Sequence, residues 1–303
     1  MFKNLLVYRV GPDWSVGLEE VEESLAKERF VECGATQASS AGWVEPRGHV
    51  PGPLVESIGG QWLMKLMVEQ KVLPGAVVKR RSTEIAEQIE KTTGRKPGKK
   101  QGKEIKEQAV LELLPMAFTK QAAINVWLDP KRRLLMIDTS SATRAESVVT
   151  YLVKALDGFA VTQFQTTMSP AAAMSAWLAS GEPPSGFTVD RECELKSADE
   201  MKSVVRYSRH LLDIDEVRQH IQTGKQPTKL AMTWQGRVSF MLTDALQIKK
   251  LGFEDVVFEN AKGSKADTQD DGFDTDAAIA TGELCQLIPD LVEALDGELA
   301  MAG

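Results

Sequence analysis

The chain has 303 residues, 43% hydrophobic and 26% charged, with a net charge of −7, a profile that fits a globular protein and argues against a disordered or fibrous one. No apolar run approaches the ~20 residues of a membrane span, and the opening stretch meets Lys3 too soon for a secretory leader. Cys33, Cys193 and Cys285 are odd in number and far apart, which argues against a disulfide framework or a zinc site and for a reducing cytosol.

Taken in order, residues 5–10 carry strand propensity and end at Gly11-Pro12. Residues 16–29 place Leu18, Val21 and Leu25 on one face, an amphipathic helix. Residues 30–53, punctuated by glycines, read as short strands and loops, and 61–73 as a strand closed by Pro74-Gly75. Val78, Ile85, Ala86 and Ile89 share a helical face, with Glu87 and Lys91 spaced for an i,i+4 pair. Gly94, Pro97, Gly98 and Gly102 break that helix into a mobile cationic turn. Ile105, Ala109 and Leu113 restart the pattern until Pro115 stops it, so a helical hairpin is expected. Strands at 122–127 and 134–138 flank a turn. A capping box, Thr143-x-x-Glu146, opens the next helix, and 159–164 is a further strand. The strand–helix order of 134–164 echoes that of 5–35, the pattern of an internal duplication.

A helix is expected at 170–179, and Gly181-Glu182-Pro183-Pro184-Ser185-Gly186 reads as a linker. Strands follow at 189–195, 203–207, 228–234, 237–242 and 246–251, with Gln235-Gly236 as a hairpin turn and a helix at 213–223. Residues 262–272 are polar enough to be disordered, and 274–295 is helical with an interruption at Pro289. The whole is α+β with antiparallel pairing.

Charge is unevenly placed. Residues 65–133 carry 16 basic and 8 acidic side chains, and residues 251–303 carry 2 and 13. Between Lys91 and Lys106, seven of sixteen residues are Lys or Arg and only Glu104 is acidic. A basic middle in an acidic chain suits a polyanion partner. Lys79, Arg80, Arg81, Lys91, Arg95, Lys96, Lys99, Lys100 and Lys103 are the candidates for neutralising phosphates, whose contribution is independent of base sequence. Charge alone supports a solvated hairpin with a basic turn equally well. Phe118, beside Pro115 and Lys120, reads either as a core plug or as an exposed contact.

No catalytic constellation stands out. There is no Gly-x-Ser-x-Gly elbow and no Rossmann glycine pattern, and Gly94 to Lys99 is one residue short of a phosphate loop and has Lys100 where Ser or Thr is needed. The acids Asp267, Asp270, Asp271, Asp274 and Asp276 lack the EF-hand order and read first as a solvated tail. His49, His210 and His220 have no ligand spacing. No metal or cofactor is expected, and an enzyme is not called for.

Several landmarks, in order, resemble the recombination-associated protein RdgC family of proteobacteria. They are Phe2-Lys3-Asn4-Leu5-Leu6-Val7-Tyr8-Arg9, Cys33-Gly34, Gly42-Trp43-Val44 with Pro46, Leu73-Pro74 and Val77-Val78-Lys79. Further along come Leu113-Leu114-Pro115 with Ala117-Phe118, Thr228-Lys229-Leu230-Ala231 with Trp234, and Thr281-Gly282-Glu283-Leu284. Each is weak alone; their order and spacing cover essentially the whole chain. The resemblance implies a non-enzymatic, cytoplasmic, nucleoid-associated DNA-binding protein that restrains RecA-driven strand exchange. Its partner would be double-stranded DNA read without sequence preference, with single strands left open beside it.

The implied architecture is a curved, horseshoe-like subunit with mixed or antiparallel sheets, two of which close into a ring-shaped dimer around DNA. Its parts would be a central domain at 1–75 and 121–180, a helical tip at 76–120 and a base at 181–303. Phe118 matches the family's aromatic finger at one dimer contact. Arg209 and His210 match a polar pair at the other, with His replacing an amide. Met116 and Lys120 stand where relatives can carry Arg, and Lys120 joins the candidate DNA contacts. Two other classes compete: a metal-dependent DNA-processing enzyme using the tail acids, and an interaction module whose basic tip docks an acidic protein.

Overall fold

A computed structural model describes residues 2–259 and 269–299. The first part of the chain builds a seven-stranded antiparallel sheet. Its strands are β1 (Leu6–Val10), β2 (Ser39–Val44), β3 (Glu56–Ile58), β4 (Gln61–Lys71), β5 (Thr119–Asp129), β6 (Leu134–Ile137) and β7 (Val161–Gln163). They lie in the order β2-β4-β5-β6-β1-β7, with β3 also on β4. Alternation puts Leu6, Met64, Leu66, Ile124, Val126, Leu135 and Ile137 on one face. There they pack under helices α1 (Leu18–Ala26) and α4 (Ala142–Ala155) through Val21, Leu25, Ala145, Val148 and Leu152. The opposite face, through Val7, Leu63, Trp127, Leu134 and Met136, joins a second core. Burial on both faces is why the end of β5 and all of β6 read as continuous apolar runs.

That second core belongs to a five-stranded antiparallel sheet of β8 (Phe187–Ser197), β9 (Val204–Ser208), β10 (Lys225–Trp234), β11 (Val238–Thr243) and β12 (Ile248–Phe253). Its order is β12-β11-β10-β8-β9. Helices α5 (Pro170–Ser180), α6 (Asp215–Gln222) and α8 (Gln269–Ala294) contribute Met174, Val217, Leu284, Leu287 and Leu291 to it, and a short α7 (Asp255–Phe258) follows β12. The N-terminal segment joins the two sheets. Leu5 pairs with Ile248 of β12, and the next residues pair with β6 and β7.

Between β4 and β5 the chain leaves the sheet as a helical hairpin, α2 (Gly75–Thr93) and α3 (Lys99–Leu113), and re-enters through a 3-10 turn at Leu114–Met116. The hairpin has its own small core of Val78, Ile85, Ile105 and Ala109. These are positions that the apolar spacing selects.

The structure corrects several expectations. Gly102 lies inside α3 rather than in the turn, because the packing of a whole helix on α2 outweighs one glycine. Glu87 and Lys91 make no ion pair; the hairpin's acids instead engage Arg80 and Arg81. The cap of α4 is Ser141, whose hydroxyl accepts from the Arg144 amide, so Thr143 sits within the helix. Helix α8 runs through Pro289. The proline removes the helical donor for the Cys285 carbonyl, but burial of Leu284, Leu287, Ile288 and Leu291 carries the helix on. The expected α+β class with antiparallel pairing is met, since both sheets are wholly antiparallel. Of the stretch expected to be disordered, residues 262–268 lie outside the described residues, and Gln269 begins α8.

Candidate nucleic-acid interface

The basic stretch becomes the outer surface of the α2–α3 hairpin. Gly94 closes α2 in the left-handed conformation, φ 72°, donating its amide to the Glu90 carbonyl at 2.8 Å. The turn then carries Arg95 and Lys96 into solvent. Helix α3 begins at Gly98 with no side-chain cap, no acid in its first turn, and Lys99 and Lys100 there instead. Cations at a helix N-terminus oppose the macrodipole, so this arrangement costs helix stability while concentrating positive potential at the hairpin's end. Lys99, Lys103 and Lys106, at i, i+4 and i+7, share one exposed stripe, while Ile105 and Ala109 face α2.

Lys79, Lys91, Arg95, Lys96, Lys99, Lys100, Lys103 and Lys120 are all exposed, and none has an ion-pair partner among the described residues. Arg81 differs. Its guanidinium donates to Glu112 of α3 at 2.7 Å and to Glu84 at 3.0 Å, and the hydrogen bond from Arg81 holds the Glu112 carboxyl below its usual range. Arg80 lies 3.8 Å from Glu84, with most of its side chain in solvent. Lys106 counts in the basic stretch but is not among the phosphate candidates named from sequence, although its spacing from Lys99 was available as a signal.

Phe118, just past the 3-10 turn, is 87% exposed and Met116 is 74% exposed, so Phe118 is not a core plug. An apolar ring in water beside the hairpin root is the kind of group that a partner surface covers. Arg209 and His210 lie elsewhere, in the bend after edge strand β9, both exposed. Arg209 has φ 56°, and His210 donates from Nδ1 to the Leu211 carbonyl at 2.7 Å, with its ring 5.7 Å from that of Tyr207.

The chain as a whole matches one family. The family model described as "Putative exonuclease, RdgC" matches residues 1–298. The chain is 46% identical over 304 residues to "Recombination-associated protein RdgC" of Dechloromonas aromatica, covering 99% of each chain. It is 46% identical over 297 residues to the Cupriavidus necator protein of that name, and 40% over 297 residues to that of Bordetella pertussis, each covering 98% of both chains. The chain belongs to the RdgC family. The RdgC description carries the word exonuclease while the relatives carry recombination.

Among the described residues no three His, Cys, Asp or Glu side chains are grouped to hold a metal ion. Of the tail acids, Asp274 is committed to Arg47 at 2.6 Å and Asp276 is exposed. Asp267 and the side chains of Asp270 and Asp271 lie outside the described residues. No described helix is long and apolar enough to cross a membrane.

Proposed function

We propose that this RdgC-family chain binds double-stranded DNA without sequence preference and does so as a ring-shaped homodimer. In this reading it acts at the nucleoid and limits RecA-mediated strand exchange. The observation that carries the reading is the set of unpaired cations on the hairpin, led by Lys99 and Lys100 placed against the helix dipole. A surface whose charges are neither paired nor helix-stabilising suits an external polyanion, and phosphate backbone supplies one at regular spacing. The hairpin then serves as the tip of a three-part subunit. The part built on the seven-stranded sheet forms the centre, and the part built on the five-stranded sheet forms the base. Phe118 at the tip and Arg209 with His210 at the base are the two dimer contacts. A ring lets the acidic remainder of the surface face outward while the basic stripe lines the hole.

The test is the salt dependence of binding to unrelated duplexes. The expected result is similar affinity for each duplex, with log K falling by about 0.9 per neutralised phosphate per log unit of salt. Affinity that is flat across a several-fold salt range overturns the reading.

The family description favours a second reading, an exonuclease. Release of nucleotides from duplex ends that requires a divalent cation, measured on the wild-type chain, supports it; no release while binding persists supports the first.

A further inference from the structure

The tip is joined to the body at one place, and one side chain spans the joint. Helices α2 and α3 pack on each other, and α3 on the 3-10 turn, with no extended packing of either helix on the sheet. Their core is separate from the two larger ones. What holds the tip's angle is therefore its root.

There Lys71, the last residue of β4, donates from Nζ to the Ala35 carbonyl at 2.7 Å and to the Leu114 carbonyl at 2.8 Å. Ala35 belongs to the loop before β2, and Leu114 opens the turn that leads to Phe118. The loop is itself fastened to the sheet. Glu69, two residues back on the same face of β4, accepts from the Cys33 amide and from Gln121 Nε2, the latter at 3.1 Å. The Cys33 amide holds the Glu69 carboxyl below its usual range, against the upward push of burial. The Lys71 amide bonds the Ala38 carbonyl at 2.9 Å, and the Val72 amide bonds the Phe118 carbonyl at 2.8 Å. Residues 33–38 thus form a buttress between sheet and tip.

We propose that Lys71 is a positioning residue that sets the angle of the tip, and with it the placement of Phe118 and of the α3 cations, rather than a group that binds phosphate. Two carbonyl acceptors already occupy the ammonium, one on each side of the joint, and satisfying both ties the exit of the tip to the body. A lysine is suited to this because its three donors reach separate acceptors from one point. The functional consequence rests on the DNA-binding reading above; the mechanical one does not.

Lys71→Met keeps most of the stem and removes the donors, while Lys71→Arg retains donors. Amide hydrogen exchange in the full chain is the first readout. In Lys71→Met, exchange at Val72 and Ala117 is expected to rise roughly tenfold, with α1, α4 and β11 unchanged. Duplex binding over a salt series is the second. Affinity is expected to fall several-fold with the salt slope unchanged, and Lys71→Arg to restore both readouts. Unchanged exchange at the root, or a salt slope reduced by about 0.9 as for a side chain that neutralises a phosphate, overturns the proposal. If the wild-type chain ignores duplex DNA, the DNA-binding reading falls while the exchange result still decides the joint.

Discussion

Arg81 of α2 and Glu112 of α3 meet at 2.7 Å and clasp the tip hairpin across its two helices. Arg81 is thereby separated in role from the lysines around it. Arg81→Gln is expected to leave the salt slope of duplex binding unchanged. Replacing Lys99, Lys100 and Lys103 together by Gln is expected to reduce it by about 0.9 for each phosphate that these lysines neutralise. Fluorescence titration at several salt concentrations checks both.

The tip depends on very few buried groups. Ile105 is one of four residues in its core, and an Ile→Ala change at such a site costs about 2–5 kcal/mol. Ile105→Ala is expected to melt the tip ahead of the body, seen as rapid proteolysis within 75–118 while the rest of the chain resists.

Gly102 has open space around the position of a β-carbon and lies within α3. Gly102→Ala is expected to stabilise the tip by about 1 kcal/mol through helix propensity, read as slower amide exchange in α3.

Phe118 is 87% exposed, so its truncation removes no core. Phe118→Ala is expected to leave the stability of the monomer within about 0.5 kcal/mol and to weaken self-association. Mass in solution, with and without duplex, measures this.

Glu194 links three strands, accepting from Arg206, Thr228 and Lys229. Burial alone would push its carboxyl up, but those three partners outweigh it and hold it at about 2. A depressed carboxyl contributes stability above its unfolded value of about 4.3, lost as pH falls toward the folded value. Denaturant midpoints are therefore expected to drop between about pH 4.3 and 2, and Glu194→Gln to reduce that part of the drop.

Much of the fold was legible because it rests on local periodicity. The period-3.6 spacing of Val78, Ile85, Ile105 and Ala109 marked the hairpin, and Pro74-Gly75 marked the end of the long strand β4. Local rules give way where tertiary packing overrides them. Helix α8 continues through Pro289 because four large side chains around it are buried, and Gly102 stays helical because α3 packs on α2.

At the interface, the cations of the basic stretch were visible as residue types, since a run of lysines needs no fold to be recognised. Residue type did not reveal which of them are spent within the molecule. Arg81 is clasped by Glu112 and Lys71 is held by two carbonyls, whereas Lys99, Lys100 and Lys103 are left to solvent. Sequence by itself determined the chain's family, its helical hairpin and its concentration of charge. Only the tertiary structure decided the pairing of those charges and the exposure of Phe118, because both depend on groups far apart in the chain that folding brings within a few ångströms.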